Sequence, residues 1–261
     1  MGAVDALLAT LGGVAENPGL SWLVADHPAG ASVKLVCFPH AGGDPRGLLR
    51  WASALPGGVD VVVCSPDEAD PAEGFDVLGL AREAADRLAR AAGQALCLYG
   101  HSFGAIVAYE TARALPVGAG PAQLVVSGME APHLRVDPGY ATLPDAELLA
   151  VLHGYGGTPS AVLSDADFAV AYLARIRADL ARLADYRFAP GPPLRCPISV
   201  VAGRSDPSLR PDAVQAWREL TVADTEIRFV SGGHFFVRDQ DDFARLVAEP
   251  LLRAAHDPPA R

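Results

Sequence analysis

The stretch Leu98-Tyr-Gly-His-Ser-Phe-Gly-Ala105 decides the fold of this chain. Apolar residues at 95–99 lead into Gly100-His101-Ser102-Phe103-Gly104, and a helix is predicted from Ala105 to about Leu115. This is G-x-S-x-G placed between a buried strand and a helix, the context that gives the motif its meaning. The two glycines permit a sharp turn that lifts the Ser102 hydroxyl above the sheet. We therefore predict that Ser102 is a nucleophile.

The composition sets limits on what the protein can be. The chain has 261 residues, half of them hydrophobic, and a formal net charge of −10. This suits one α/β domain over residues 1–261. The negative charge argues against a nucleic-acid partner, and no apolar run reaches the roughly 18 residues of a membrane span. The N-terminus lacks a basic cluster, so no signal peptide is predicted and we expect a cytoplasmic protein. We also expect a monomer.

The cysteines give no sign of a metal or redox centre. No pair of them has C-x-x-C spacing, and all lie in or beside apolar, strand-like runs. Buried free thiols are the expectation for such positions. The cysteines are Cys37, Cys64, Cys97 and Cys196. We expect neither a metal nor a cofactor.

Hydrophobic patterning predicts alternating strands and helices. Strands are predicted at 22–24, 33–38, 59–64, 95–99, 123–127, 197–202 and 225–230. Helices are predicted at 46–55, 76–92, 105–115, 211–220 and 241–255, besides a short arm at 1–19 that could be helical. This order indicates a mostly parallel sheet covered by helices on both faces, with a core at about 20–134 and 190–255.

The alternation stops between residues 135 and 189. Two helices are predicted there, at 143–152 and 165–183, with no clear strand. An insertion of this length exceeds an ordinary connection and predicts a helical lid. The alternative is a pair of covering helices without a gating role.

A serine nucleophile needs a base and an acid that orients the base. Strand 197–202 is followed by Gly203-Arg-Ser-Asp-Pro207, and strand 225–230 by Ser231-Gly-Gly-His-Phe-Phe236. Both loops are expected at the sheet edge that carries Ser102, where ligand sites of α/β proteins form. We predict His234 as the base and Asp206 as the acid, although Asp206 before a proline could be only a turn residue. The chain order Ser, Asp, His is that of the α/β-hydrolases.

The remaining histidines have weaker contexts. His40 and His101 lie beside the predicted site, where their motifs favour loop-shaping roles. His153, in the predicted lid, could touch substrate or simply be a solvated helix residue. Three histidines have no recognisable context: His27, His133 and His256.

Acyl transfer also needs two amides that stabilise the oxyanion. One is predicted to be the N–H of Phe103, the residue after the nucleophile. The other is expected in Pro39-His-Ala-Gly-Gly43, where we favour Ala41 with His40 as the adjacent alternative. A phosphate-binding role for this glycine-rich loop is disfavoured because it lacks the lysine and spacing of a P-loop.

The chain resembles the type II thioesterases of polyketide and nonribosomal peptide synthetases over about residues 20 to 250. The resemblance rests on five motifs: Cys37-Phe-Pro-His-Ala-Gly-Gly43, Gly100-His-Ser-Phe-Gly-Ala105, Ser127-Gly128 with Ala131-Pro132, Arg177-Ala-Asp179, and Gly232-Gly-His-Phe-Phe236. It implies an α/β-hydrolase fold and hydrolysis of acyl groups from the phosphopantetheine arm of acyl or peptidyl carrier domains. It maps the catalytic roles onto Ser102, Asp206 and His234, and the oxyanion amides onto Ala41 and Phe103.

Two departures from the family pattern stand out. The segment 65–71 is acidic where the family is basic, and Glu130 stands where an arginine often precedes Ala-Pro. Glu130 follows the predicted strand 123–127. In thioesterase domains fused to synthases the triad acid comes from near the corresponding strand, so Glu130 is a rival partner for His234. The resemblance implies editing, which is the removal of aberrant acyl groups that would stall a synthase. The alternatives are dedicated product release by hydrolysis or cyclisation, an esterase acting on soluble esters, and a non-catalytic α/β-hydrolase that serves as a binding module.

Overall fold

The computed structural model describes residues 20–24, 31–51, 55, 58–66, 75–90, 94–158, 166–237 and 240–256. The predicted arm at 1–19, the C-terminal tail and most of the acidic segment 65–71 lie outside these residues. No described helix combines the length and the apolar character that crossing a membrane requires.

Seven described strands form one sheet in the order β1-β3-β2-β4-β5-β6-β7. Their bounds are β1 Leu20–Val24, β2 Val33–Phe38, β3 Val59–Pro66, β4 Ala95–His101, β5 Gln123–Ser127, β6 Ile198–Gly203 and β7 Thr225–Val230. β1 pairs antiparallel with β3, and every other pairing is parallel. β2, β5 and β6 are buried along their whole length, as near-continuous apolar strands of a covered parallel sheet must be.

The helices follow the predicted alternation. Their bounds are α1 Pro45–Trp51, α2 Val77–Arg90, α3 Phe103–Ala114, α4 Asp145–Tyr155, α5 Ala166–Asp185, α6 Pro211–Gln215 and α7 Gln240–His256. α3 begins two residues earlier than predicted, directly after Ser102. The helix predicted at 211–220 is instead the short α6 followed by a 3₁₀ turn at Ala216–Leu220, which packs Trp217 into the core with its Nε1 donating to Met129 O at 3.0 Å.

The apolar core lies in two layers, one on each face of the sheet. Along β2, Val36 and Phe38 belong to the layer under α2 and α3, whereas Leu35 and Cys37 belong to the layer under α7. This division follows from the two-residue period of a strand. All four cysteines are buried and unbridged, as predicted, and burial raises their thiol pKa values.

Two described α-helices, α4 and α5, lie between β5 and β6, at the places where helices were predicted. α4 ends at Tyr155 because Gly156 takes the left-handed conformation (φ 78°). Arg177 of α5 holds the start of the insertion, since its guanidinium donates to the carbonyl oxygens of Ala141 and Leu143 and to Asp145 Oδ1. α5 thus lies across the carboxyl edge of the sheet, where the predicted site residues emerge.

Candidate active site

Ser102 stands on a strained turn between β4 and α3. Its φ of 54° and ψ of −120° make it the one non-glycine residue of the described chain with a positive φ. Such a conformation costs about 1–3 kcal/mol and persists only where the surroundings enforce it. The Ser102 N–H donates to Ser127 O at 2.8 Å, and its carbonyl accepts from Ala105 N at 2.9 Å. Ser102 is therefore held in the sharp turn that the motif predicts.

The glycines of the motif are required by close packing. A Cβ on Gly100 would lie 2.1 Å from the carbonyl oxygen of Gly104. A Cβ on Gly104 would lie 2.1 Å from the carbonyl oxygen of Phe38. The turn is consequently pressed against the end of β2, from which the loop Pro39–Gly43 departs.

Asp206 and His234 form a buried pair at the ends of β6 and β7. His234 Nδ1 lies 2.7 Å from Asp206 Oδ2, and the two side chains are 9% and 0% exposed. The second oxygen, Oδ1, accepts the N–H of Ser208 at 2.9 Å and its hydroxyl at 2.6 Å. Because an ionised carboxylate only accepts hydrogen bonds, this arrangement places the proton of the neutral imidazole on Nδ1 and leaves Nε2 as the base.

The pKa of Asp206 lies below its ordinary value. Burial alone raises it, but the hydrogen bond and charge of His234 and the two hydrogen bonds from Ser208 outweigh that effect. Asp206 is therefore ionised at neutral pH, as an orienting acid must be.

Ser102 and His234 line one cavity of about 380 Å³ beneath the insertion. Its walls include the apolar side chains of Met129, Val136, Leu152, Ile176 and Leu180. Within the residues that the structure describes, no hydrogen bond joins the Ser102 hydroxyl to the imidazole. Contacts of this kind are often long without substrate and shorten in the reactive complex.

The two predicted oxyanion amides have free N–H groups. Among the described residues, neither Ala41 N nor Phe103 N donates a hydrogen bond. The contact between Gly104 and Phe38 O brings their two loops together, and Ala41 lines the same cavity as Ser102. Unpaired backbone donors beside a nucleophile are what an oxyanion hole requires.

Glu130, the rival acid, is engaged elsewhere. Its Oε1 accepts from Arg210 N at 2.7 Å and from Arg210 Nε at 2.9 Å, while its Oε2 accepts from Arg210 Nη2 at 2.8 Å. These bonds use both carboxylate oxygens in a fork typical of arginine. The structure thus pairs His234 with Asp206 and Glu130 with Arg210.

His101 packs against the His234 imidazole, and His40 packs against His101 with its ring 6.0 Å away. The ring of His101 lies 5.0 Å from that of His234, and its Nδ1 is 2.9 Å from Ser127 Oγ. Burial, followed by the charge of His234, lowers the pKa of His40 to about 4 and that of His101 well below its ordinary value. Both rings are therefore neutral at pH 7 and weaker bases than an ordinary imidazole, which agrees with the predicted shaping roles.

His133 and His153, the two other histidines whose side chains the structure describes, do not line the cavity that Ser102 and His234 share. His153 is exposed on α4, as a solvated helix residue would be, and His133 Nε2 lies 3.3 Å from Glu219 Oε2. His27 and the side chain of His256 lie outside the described residues.

Two residues that contact the triad were missed by the sequence interpretation. The first is Ser208, which donates to Asp206, although its place two residues after Asp206 is the pattern of an Asx turn. Tyr155 of α4 is the second: its ring lies 5.1 Å from that of His234, and its hydroxyl is 2.8 Å from that of Tyr140. No local pattern marks Tyr155, because its role depends on where the insertion folds.

The described residues contain no group of three or more side chains suited to a metal ion. The arrangement at hand can perform nucleophilic acyl transfer: a strained serine, a buried carboxylate–imidazole pair, two free amides and an apolar cavity. These features, at the carboxyl edge of a mostly parallel sheet, define a serine hydrolase of the α/β-hydrolase fold.

Comparison with known proteins identifies the family. A family model described as thioesterase domain matches residues 33–251. Thioesterase PikA5 of Streptomyces venezuelae is 32% identical over 92% of this chain and 89% of its own length. The chain therefore belongs to the thioesterase family and is an acyl-thioester hydrolase.

Solved structures agree with this assignment. BorB, a type II thioesterase from the borrelidin biosynthetic cluster, is 31% identical with a TM-score of 0.77, covering 90% of this chain and 99% of that one. RedJ, a thioesterase from the prodiginine pathway of Streptomyces coelicolor, is also 31% identical with a TM-score of 0.77. The match covers 98% of this chain and 96% of the RedJ chain. The resemblance to type II thioesterases stated from the motifs is confirmed.

Proposed function

We propose that this protein hydrolyses acyl groups from the phosphopantetheine arm of acyl or peptidyl carrier domains in polyketide or nonribosomal peptide biosynthesis. The similar proteins BorB and YbtT come from a borrelidin cluster and a yersiniabactin NRPS/PKS pathway. The observation that carries the chemistry is the 2.7 Å contact between Asp206 Oδ2 and His234 Nδ1 beside the cavity that Ser102 lines. We further expect a monomeric, cytoplasmic enzyme without a cofactor.

In the proposed reaction Ser102 Oγ attacks the thioester carbonyl while His234 Nε2 takes its proton. The oxyanion accepts hydrogen bonds from the N–H groups of Ala41 and Phe103, which stabilises charge that develops only in the transition state. The imidazolium then returns the proton to the leaving thiolate. Water, deprotonated by His234, then attacks the acyl-enzyme carbonyl. The acyl group leaves as the carboxylic acid, the imidazolium returns its proton to Ser102 Oγ, and Asp206 holds the ring in the required tautomer throughout.

The acyl chain is proposed to occupy the apolar cavity under the insertion. A volume of about 380 Å³ lies within the usual range of ligand pockets, about 300–1,000 Å³. α4 and α5 form its roof through Leu152, Tyr155 and Ile176. We propose that the insertion acts as a lid that admits the pantetheine arm and limits water.

The proposal predicts that the enzyme strips acyl groups from loaded carrier proteins. Intact-mass measurement of acyl-loaded carriers before and after exposure should show loss of the acyl mass with wild type and none with Ser102→Ala. Because that change removes only a hydroxyl, circular dichroism should find the variant folded. Carriers that keep their acyl groups against the wild-type enzyme would contradict the proposal.

Three further assays separate the alternatives. Similar rates over a panel of acyl-pantetheine thioesters support editing, whereas one strongly preferred long chain supports dedicated release by hydrolysis or cyclisation. A faster reaction with soluble oxygen esters would favour an esterase. A serine-directed fluorophosphonate tests the non-catalytic alternative, since a binding module would give no adduct on Ser102.

A further inference from the structure

Helix α5 is joined to the loop that carries Ala41, which we call the oxyanion loop (Pro39–Gly43). The Gly42 N–H donates to Asp179 Oδ2 at 2.9 Å, although the two residues are 137 positions apart. The neighbouring Gly43 carbonyl accepts from Arg175 Nη2. A Cβ on Gly42 would lie 2.1 Å from Ile176 Cγ1, so helix and loop touch with no room for a side chain.

Asp179 is itself held from the opposite side. Its Oδ1 accepts from Arg182 Nη1 at 3.0 Å, and Arg182 Nε donates to Phe75 O at 3.0 Å, just before α2. Only 6% of Asp179 is exposed, and a buried carboxylate is tolerated only with such partners. Burial raises the pKa of Asp179, against the Gly42 N–H and the charges of Arg182 and Arg175. The carboxylate thus bridges the core and the oxyanion loop.

These contacts fix the backbone on one side of Ala41. The Gly42 bond orients the peptide that follows Ala41, and a bond from Gly43 N to His40 O at 2.8 Å closes the turn around it. Gly42 takes a φ of 66°, a conformation that favours glycine. The His40 carbonyl belongs to the same peptide as the Ala41 N–H, which has no partner among the described residues, so these contacts constrain that N–H from both flanking peptides.

We propose that Asp179 is a positioning residue for the oxyanion hole. Through Gly42 it aims the Ala41 N–H at the oxyanion that forms on Ser102. The hole is complete only when α5 rests on the oxyanion loop, so displacement of the helix weakens the same donor that catalysis needs. This inference rests on the proposed function, and it adds a role for the insertion in the chemistry as well as in covering the site.

Three substitutions on α5 test the inference with acyl-pantetheine thioesters. Asp179→Ala should lower kcat by about 10- to 100-fold, somewhat less than the loss of an oxyanion donor outright. KM should change by less than about threefold, because the ground state does not use this donor. Asp179→Asn should recover most of the rate, since its amide oxygen can accept the same N–H. Asp185→Ala, an exposed carboxylate at the end of α5, is the matched control and should leave kcat unchanged.

A second measurement separates positioning from simple stabilisation. A trifluoromethyl ketone that forms a tetrahedral adduct with Ser102 should bind Asp179→Ala more weakly by the same factor as the fall in kcat. A thioether analogue of the substrate, which has no carbonyl oxygen to occupy the oxyanion hole, should bind both proteins equally. The inference is overturned if Asp179→Ala turns over like Asp185→Ala, or if ketone and thioether affinities fall together.

Two further points keep the test decisive. If Asp179→Ala does not fold, Arg175→Met acts on the adjacent Gly43 carbonyl and should show the same pattern at smaller size. Equal losses of ketone and thioether affinity there would also overturn the inference. Wild-type protein that hydrolyses no thioester would contradict the proposed function, whereas the ketone affinities would still test Asp179.

Discussion

The triad lies after three parallel strands of one sheet: Ser102 follows β4, Asp206 follows β6 and His234 follows β7. Tyr155 and Asp179, in contrast, lie on the helical insertion. The strands are tied by continuous backbone ladders, β4 to β5, β5 to β6 and β6 to β7. The insertion is held by side-chain contacts such as Arg177 to Ala141 O and Asp179 to Gly42 N. A ladder places a residue firmly, but a few side-chain bonds can be broken and remade. The difference fits the proposal that the insertion acts as a lid over the residues held by the strands.

The largest effect is expected from replacing Asp206, the acid of the triad. Asp206→Asn should lower kcat by about 10³- to 10⁴-fold, because an amide can hold the imidazole in the wrong tautomer. Glu130→Gln should cost far less turnover, since its carboxylate binds Arg210 and does not orient His234. Steady-state kinetics of both variants checks this, and the reverse ranking would transfer the acid role to Glu130.

Glycine-to-alanine substitutions in α3 and in α4 should have opposite effects on the free energy of unfolding. Gly104→Ala should lower the free energy of unfolding by about 3–5 kcal/mol, because its Cβ meets the carbonyl oxygen of Phe38. Gly154→Ala in α4 should raise it by about 0.5–1 kcal/mol, because alanine favours a helix and nothing lies within 4 Å. Urea unfolding measures both. A neutral Gly104→Ala would refute the tight packing of the turn against β2.

The histidines beside the site should make stability depend on pH. The folded pKa of His40, about 4, lies below the ordinary 6.5, so the unfolded chain binds more protons between these values and stability falls as pH drops through them. With about 1.4 kcal/mol for each tenfold change in proton affinity, and some access of His40 to solvent, we expect a loss of about 2 kcal/mol from pH 7 to pH 4.

Variants of single histidines test this cause. Urea unfolding at several pH values should give a shallower slope for His40→Gln, whereas His153→Gln, on an exposed position of α4, should follow the wild type. A His40→Gln slope equal to that of the wild type would assign the pH dependence to other groups.

A modest effect is expected from Arg177, which joins α5 to the start of the insertion. Arg177→Met removes hydrogen bonds to two carbonyl oxygens and to Asp145, and should cost about 1–2 kcal/mol of unfolding free energy. The triad is untouched, so a larger change in KM than in kcat is expected from a looser roof. A selective loss of kcat would show that Arg177 acts on the chemistry.

Local patterning predicted most of the elements that position the site. The continuous apolar runs of β2, β5 and β6 are sufficient to mark buried strands, and the motif around Ser102 marks the turn between β4 and α3. Boundaries were less certain: the helix predicted at 211–220 divides into α6 and a 3₁₀ turn. That division follows from the packing of Trp217, which no local pattern contains.

By itself the sequence determined the chemistry available to this protein, because the glycine spacing around Ser102 and the loops after two later strands carry that information within a few residues each. It also determined the family, since five motifs spread over the chain occur together. Only the tertiary structure decided which carboxylate meets His234, that Ser208 holds Asp206, and that Asp179 reaches Gly42. Pairings between residues far apart in the chain depend on how the sheet edge and the insertion meet in space, and local residue patterns do not encode that meeting.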